Sequence, residues 1–167
     1  MRHRHKRSLS ILAEKYSPSA PCTCDVCRSY CRRPGWWTVA EAAHAIKNGY
    51  GARMMLELSP EGAFGVLSPA FKGCQQNFAL QEYAHLGCIF YRNERCDLFG
   101  SGCVPLECRF CHHTRRGQGQ QCHLDLERDW DTPAGRRLAS QWAECNGLWL
   151  RYPAAMFPAW LISSSTK

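Results

Sequence analysis

Cys24-Asp25-Val26-Cys27-Arg28-Ser29-Tyr30-Cys31 is the stretch that decides the fold, because three thiols so close together have a use only if something gathers them. Thiols two or three residues apart on a tight loop can aim their sulfurs at one centre with little backbone strain. A sulfur-only donor set suits Zn2+ or an iron–sulfur cluster, not Mg2+ or Ca2+. Farther along, Cys88-x7-Cys96 and Cys103-x4-Cys108-x2-Cys111 repeat the theme. A centre joining the first group to the second closes a long loop. Such a staple can contribute ~10–16 kcal/mol in small zinc peptides, against a domain's net stability of ~5–15 kcal/mol. The competing reading makes several of these residues ordinary buried thiols.

The composition asks for a staple. Of 167 residues, 45% are apolar, but that figure includes all 12 Cys. Leu, Ile, Val and Phe together number 30, or 18% of the chain, just under the ~20% at which a globular core becomes hard to build. The composition argues against a long parallel α/β sheet, since it needs Val/Ile-rich runs that are absent. No run reaches the ~20 apolar residues of a membrane span; the longest, around Ala154 to Ile162, carries Pro158. The reading is therefore no membrane.

Charge and terminus suggest a compartment and a partner. The net charge is +7, and Arg2, Arg4, Lys6 and Arg7 supply four of those charges. Such an arm can hold nucleic-acid phosphates, or it can be a solvated terminus. Met1 to Arg7 has the look of a signal-peptide n-region, but Leu9, Ile11, Leu12 and Ala13 are followed at once by Glu14 and Lys15, so no apolar h-region forms. The expectation is a cytoplasmic protein whose thiols stay reduced and free to bind metal.

Along the chain, residues 1–21 read as a basic, disordered tail or short helix, 22–150 as a cysteine-cluster metal-binding domain, and 151–167 as an irregular C-terminal tail. Thr38-Val39-Ala40-Glu41 is a capping box that opens a helix, with Gly49 as its stop. Met54–Leu58 and Phe64–Leu67 read as strands around Ser59-Pro60-Glu61-Gly62. Cys88–Tyr91 and Cys96–Phe99 read as a short hairpin. Residues 100–123 read as loop, and Asp131-Thr132-Pro133 starts another helix, with Leu138, Ala139, Trp142 and Cys145 on one face. The fold expected is small α+β: a loop-rich, metal-stapled domain with short hairpins and two or three short helices.

Cys24-Asp-Val-Cys27-Arg-Ser-Tyr-Cys31, Gly87-Cys88-Ile-Phe-Tyr91, Arg95-Cys96-Asp-Leu-Phe99 and Pro105-Leu-Glu-Cys108-Arg109-Phe110-Cys111 together resemble the YkgJ-type proteins, a bacterial family described as zinc- or iron-chelating. The resemblance covers about residues 22–111 and implies metal ligands at Cys24, Cys27, Cys31, Cys88, Cys96 and Cys108. It departs at the first cluster, where the family often has adjacent cysteines and this chain has Cys31 alone. It departs again before Cys108, where Cys103-Val-Pro105 replaces an Arg-Pro. It implies no biochemical activity. One four-coordinate centre needs four ligands, so six imply two centres or a multinuclear one.

Beside the thiols, Arg28, Arg32, Arg33, Arg95 and Arg109 are placed to donate to sulfur or to face phosphates. A second set, Cys103, Cys111, His112, His113, Cys122 and His123, is suited to a mixed Cys/His zinc site. Asp125, Glu127 and Asp129 follow it as the acids of any catalytic group, or as an ordinary solvated run. Cys103-x4-Cys108-x2-Cys111 also fits plant-type ferredoxin spacing with Cys145 as fourth ligand. Trp36-Trp37 either stacks bases or plugs a small core. The functional reading is a zinc or iron–sulfur cysteine-cluster protein acting as a structural or interaction module. The alternatives are an iron–sulfur redox protein or enzyme, and a zinc-stabilised nucleic-acid-binding module. No substrate or protein partner is named by the residues.

Overall fold

Met54, Met55 and Leu56 alternate sides of a strand, and that alternation sorts the interior into two parts. The computed structural model describes residues 11–163. Strand β1 (Met54–Leu58) pairs antiparallel with β2 (Gly65–Pro69), Met54 opposite Pro69 and Leu58 opposite Gly65. Strand β3 (Asn77–Phe78) adds in parallel on the other side of β1, which gives the order β2-β1-β3. Met54 and Leu56 enter the main core, whereas Met55 joins Ala70, Phe71 and Cys74 beneath the opposite face. A second hairpin forms, but shorter than the expected Cys88–Tyr91 and Cys96–Phe99 strands: β4 (Tyr91–Arg92) pairs with β5 (Arg95–Cys96) around Asn93 and Glu94, both at positive φ.

The helices begin with α1 over residues 11–15, followed by α2 (Asp25–Tyr30) and α3 (Val39–Lys47). Thr38 accepts from the Glu41 amide while Glu41 accepts from the Thr38 amide, so the capping box forms as expected. After the 3-10 turns Leu106–Phe110 and His113–Arg115 come α4 (Gln120–Trp130) and α5 (Pro133–Cys145), the latter capped by Thr132 with Pro133 in its first turn. Two short helices, α6 (Leu148–Arg151) and α7 (Ala159–Ser163), complete a small α+β fold. No helix among the described residues is long and apolar enough to cross a membrane.

Tryptophan makes up for the scarce aliphatics. Trp37 and Trp130 are fully buried, and each indole N–H finds a carbonyl: Trp37 donates to Cys103 at 2.7 Å and Trp130 to Trp37 at 2.8 Å. Trp142 donates to Gly51, and Trp160 to Gly62. A ring of this size buries ~150–250 Å2 when its polar atom is satisfied. Trp37 is thus a core residue and offers no face for a base.

Three stretches differ from expectation. Cys122 and His123 sit on α4 rather than in a loop, because Cys122, Leu126 and Trp130 recur every fourth residue and are buried. The C-terminal stretch is packed rather than irregular: Leu161 is buried, its carbonyl accepts from Ser140, and α7 lies on α5. Residues 11–21 run along the body. Arg109 donates to the carbonyls of Ala13 and Tyr16, Arg115 donates to Ser17 and Pro18, and Asp125 takes both Lys15 and Tyr16. The basic run at Arg2, Arg4, Lys6 and Arg7 lies outside the described residues.

Candidate metal centre

Cys24 stands just before α2, and the first turn of that helix carries Cys27 back over it. The Cys27 amide, then the Cys27 thiol, hold the Cys24 thiol down to about 7, while burial pushes Cys27 up to about 11. Cys22 arrives from the segment tied down by Arg115. The fourth group comes from a distant loop: His113 follows Cys111 and His112, and its Nδ1 lies 3.5 Å from Cys22 Sγ, 3.6 Å from Cys24 Sγ and 3.3 Å from Cys27 Sγ. The His113 amide donates to Cys27 Sγ at 3.2 Å, which fixes the loop against α2. His112 stacks on His113 at 4.4 Å and is itself held by Thr114.

All four ligand atoms lie within 4.8 Å of one another. Tetrahedral zinc, with Zn–S of about 2.3 Å and Zn–N of about 2.0–2.1 Å, requires a nitrogen-to-sulfur edge of about 3.5 Å. The three observed edges match it. The cluster can therefore hold a metal through three thiolates and one imidazole. Cys24 and Cys27 are expected ligands and His113 is expected in a separate Cys/His set; Cys22 is the one member not anticipated, and the four come from two stretches of chain.

Cys31 ends α2 and turns away from this group. It lines a cavity of about 420 Å3 together with Cys22, Cys88, Cys96, Cys108 and Cys111. Cys88 reaches it because its amide donates to the Arg32 carbonyl at 3.0 Å. Cys96 is carried in by pairing with Tyr91. Cys108 sits against Gly35, which has no side chain to displace it. Burial pushes Cys31 up to about 12 and Cys88 to about 11, and raises Cys96 as well. Cys108 donates to Cys111, which raises the first and lowers the second. The charges of Cys111, Cys96, Cys88 and Cys27 all bear on Cys31.

The remaining candidates disperse. Cys103 belongs to the main core, and Cys122 is buried with Leu106 and Leu126, its thiol pushed up to about 12 by burial. His123 Nδ1 lies 2.9 Å from the Glu107 carboxylate, and its ring lies 4.3 Å from Trp36, so Trp36 is half-buried against a histidine. Cys145, the ferredoxin-type candidate, is exposed at the end of α5. Asp125 is occupied by Lys15 and Tyr16, and Asp129 accepts from the Val39 amide at 2.7 Å, which leaves these acids in structural positions. Two of the five arginines serve carboxylates and carbonyls: Arg28 engages Thr23 and Glu94, and Arg109 the carbonyls before α2. No disulfide joins any of the twelve cysteines. No family model, no curated protein and no solved structure matches the chain.

Proposed function

We propose that the chain is a zinc-binding cysteine-cluster protein of the YkgJ type, in which Cys22, Cys24, Cys27 and His113 hold one structural ion. The observation that carries this reading is the set of His113 Nδ1 to sulfur separations of 3.3–3.6 Å. Zinc bound there has all four positions filled by protein. Catalytic zinc keeps one position for water or substrate, whereas structural zinc does not. The ion's role is then to join the start of α2 to the His113 loop, and the product is a rigid surface suited to an interaction module. His113 is exposed on that surface.

Metal analysis of the purified chain tests it. Zinc is expected in roughly stoichiometric amount, and both Cys27→Ser and His113→Ala are expected to lose it. Full zinc content in either variant would contradict the ligand assignment.

A further inference from the structure

Along β1 side chains alternate, so Glu57 falls on the same side as Met55, a side otherwise packed with Ala70, Phe71 and Cys74. This half-buried carboxylate accepts from the Trp36 indole at 3.2 Å. The Trp36 ring lies 4.3 Å from the His123 ring, and His123 Nδ1 lies 2.9 Å from Glu107 Oε2. The circuit closes because the Glu107 amide donates to the Trp36 carbonyl at 3.2 Å. Four residues from β1, the approach to α3, the Leu106–Phe110 turn and α4 thus form one network. All four border an open cleft of about 960 Å3, at the upper end of the ~300–1,000 Å3 usual for ligand sites.

The network keeps acceptors in reserve. Glu57 Oε2 takes the indole and Glu107 Oε2 faces His123, while among the described residues no hydrogen bond reaches Oε1 of either. An ionised carboxylate has about four lone-pair sites, so both can take further N–H donors. The same cleft also carries cations. Arg32 and Arg33 are exposed on it, and among the described residues neither guanidinium has a carboxylate or carbonyl partner, whereas Arg28, Arg109 and Arg115 are all engaged. Their backbone is fixed: the Arg32 carbonyl accepts from the Cys88 amide at 3.0 Å, and the Arg33 amide donates to Tyr30 at 3.0 Å. Burial pushes the Glu107 carboxyl up, His123 opposes that, and the charges of Glu57 and Arg33 both reach it, so acids and arginines act across one space.

We propose that this cleft binds a nucleoside monophosphate, its phosphate held by Arg32 and Arg33 and the N–H edge of its base by Glu57 and Glu107 beside the Trp36 ring. The guanidinium fork matches phosphate oxygens. Carboxylates accept from the amino groups of bases, and an aromatic ring next to them suits a planar ligand. Guanine sets two N–H donors side by side and is the base these acceptors fit best. A lone anion would leave both carboxylates unused, and a lone cation both arginines. The cleft shares no residue with Cys22, Cys24, Cys27 and His113, so this site and the zinc assignment stand or fall separately.

Calorimetric titration of the full chain, purified with zinc, uses guanosine monophosphate, guanosine and inorganic phosphate as probes. The monophosphate is expected to bind with a dissociation constant below about 1 mM. Guanosine, which lacks the arginine contacts, is expected to bind about tenfold or more weakly, and phosphate alone more weakly than the monophosphate. Arg32→Ala/Arg33→Ala should bring the monophosphate down to the level of guanosine and leave guanosine itself unchanged, while Glu57→Gln should weaken both. Arg137→Ala removes an exposed arginine on α5, outside the cleft, and should change nothing. Absence of monophosphate binding would overturn the site. So would phosphate binding as tightly as the monophosphate, or an equal loss in Arg137→Ala, which would reduce the effect to net charge. Where Glu57→Gln does not fold, the exposed arginine pair decides alone.

Discussion

At Cys24 and Cys27 the chain holds two neighbouring thiols in opposite states. Cys24, lowered to about 7 by the Cys27 amide, is part-ionised near neutrality, while Cys27, raised to about 11 by burial, is protonated. Zinc needs both as thiolates, so binding releases protons, and affinity must rise with pH. Competition with a chelator between about pH 6 and 8 is expected to show zinc held progressively more tightly as pH increases; a flat profile would mean the thiols are not the ligands. Gly35 makes a second residue-scale test, on the other cavity. A Cβ there would lie 2.7 Å from Cys108 Sγ and 2.9 Å from the Cys108 amide nitrogen, so backbone has to move. Gly35→Ala is expected to cost about 1–3 kcal/mol in chemical denaturation. Gly51→Ala, whose Cβ would meet only Ile46 at an ordinary 3.7 Å, is the control and should change little.

At the scale of elements, α3 is more than a helix with a good cap. Glu41 Oε2 accepts from the Thr38 amide at 3.0 Å and from the Leu106 amide at 3.1 Å, so one carboxylate joins the start of α3 to the turn that carries Cys108. Thr38→Ala removes a cap and is expected to cost about 1 kcal/mol. Glu41→Ala removes the other half of the box and also strips a partner from Leu106, so its denaturation midpoint should fall further. Equal losses would show that the Leu106 contact is idle. The capping box, the β1–β2 pair and the Thr132-Pro133 start were legible because each is written within a few consecutive residues. Helix α4 was not, since Gly119 caps it without a side chain and only Cys122, Leu126 and Trp130 are buried, while Leu124 is exposed off that face and blurs the period. The metal site was half legible for the same reason. Cys24 and Cys27 announce themselves by spacing, but His113 is 86 residues from Cys27 in sequence and looked like one histidine among several. Only packing the His113 loop on α2 selects it. Cys22 lacked the spacing of the triplet, and its position is set by the Arg115 clamp on Ser17 and Pro18.

For the whole molecule, residues 11–27 are a strap: Arg109 and Arg115 hold its carbonyls, and two further anchors can be loosened separately. One is the group of Cys22, Cys24, Cys27 and His113, which can hold a metal. The other is Asp125, which Lys15 and then Tyr16 hold below the ordinary carboxylate range, while Asp125 raises Lys15. The signs define a window. A depressed carboxyl stabilises above its unfolded pKa of about 3.9 and loses that stabilisation as pH falls through the lower folded value. A raised amine stabilises below its unfolded pKa of about 10.4 and loses that as pH rises through the higher folded value. Across the neutral range the Asp125 anchor is therefore fully engaged, whereas a metal bound by the cysteine group would be removable by chelation. Trypsin reads the two anchors independently, because it cleaves after Lys15 at one and after Arg28 at the other. Chelation near neutral pH is expected to speed cleavage after Arg28, whose side chain is held by Thr23 and Glu94 beside the zinc group, and to leave the Lys15 bond protected. Asp125→Asn with zinc bound should do the reverse. If both bonds open together under either change, the strap is one cooperative unit and the metal secures the entire N-terminal segment, not just the start of α2.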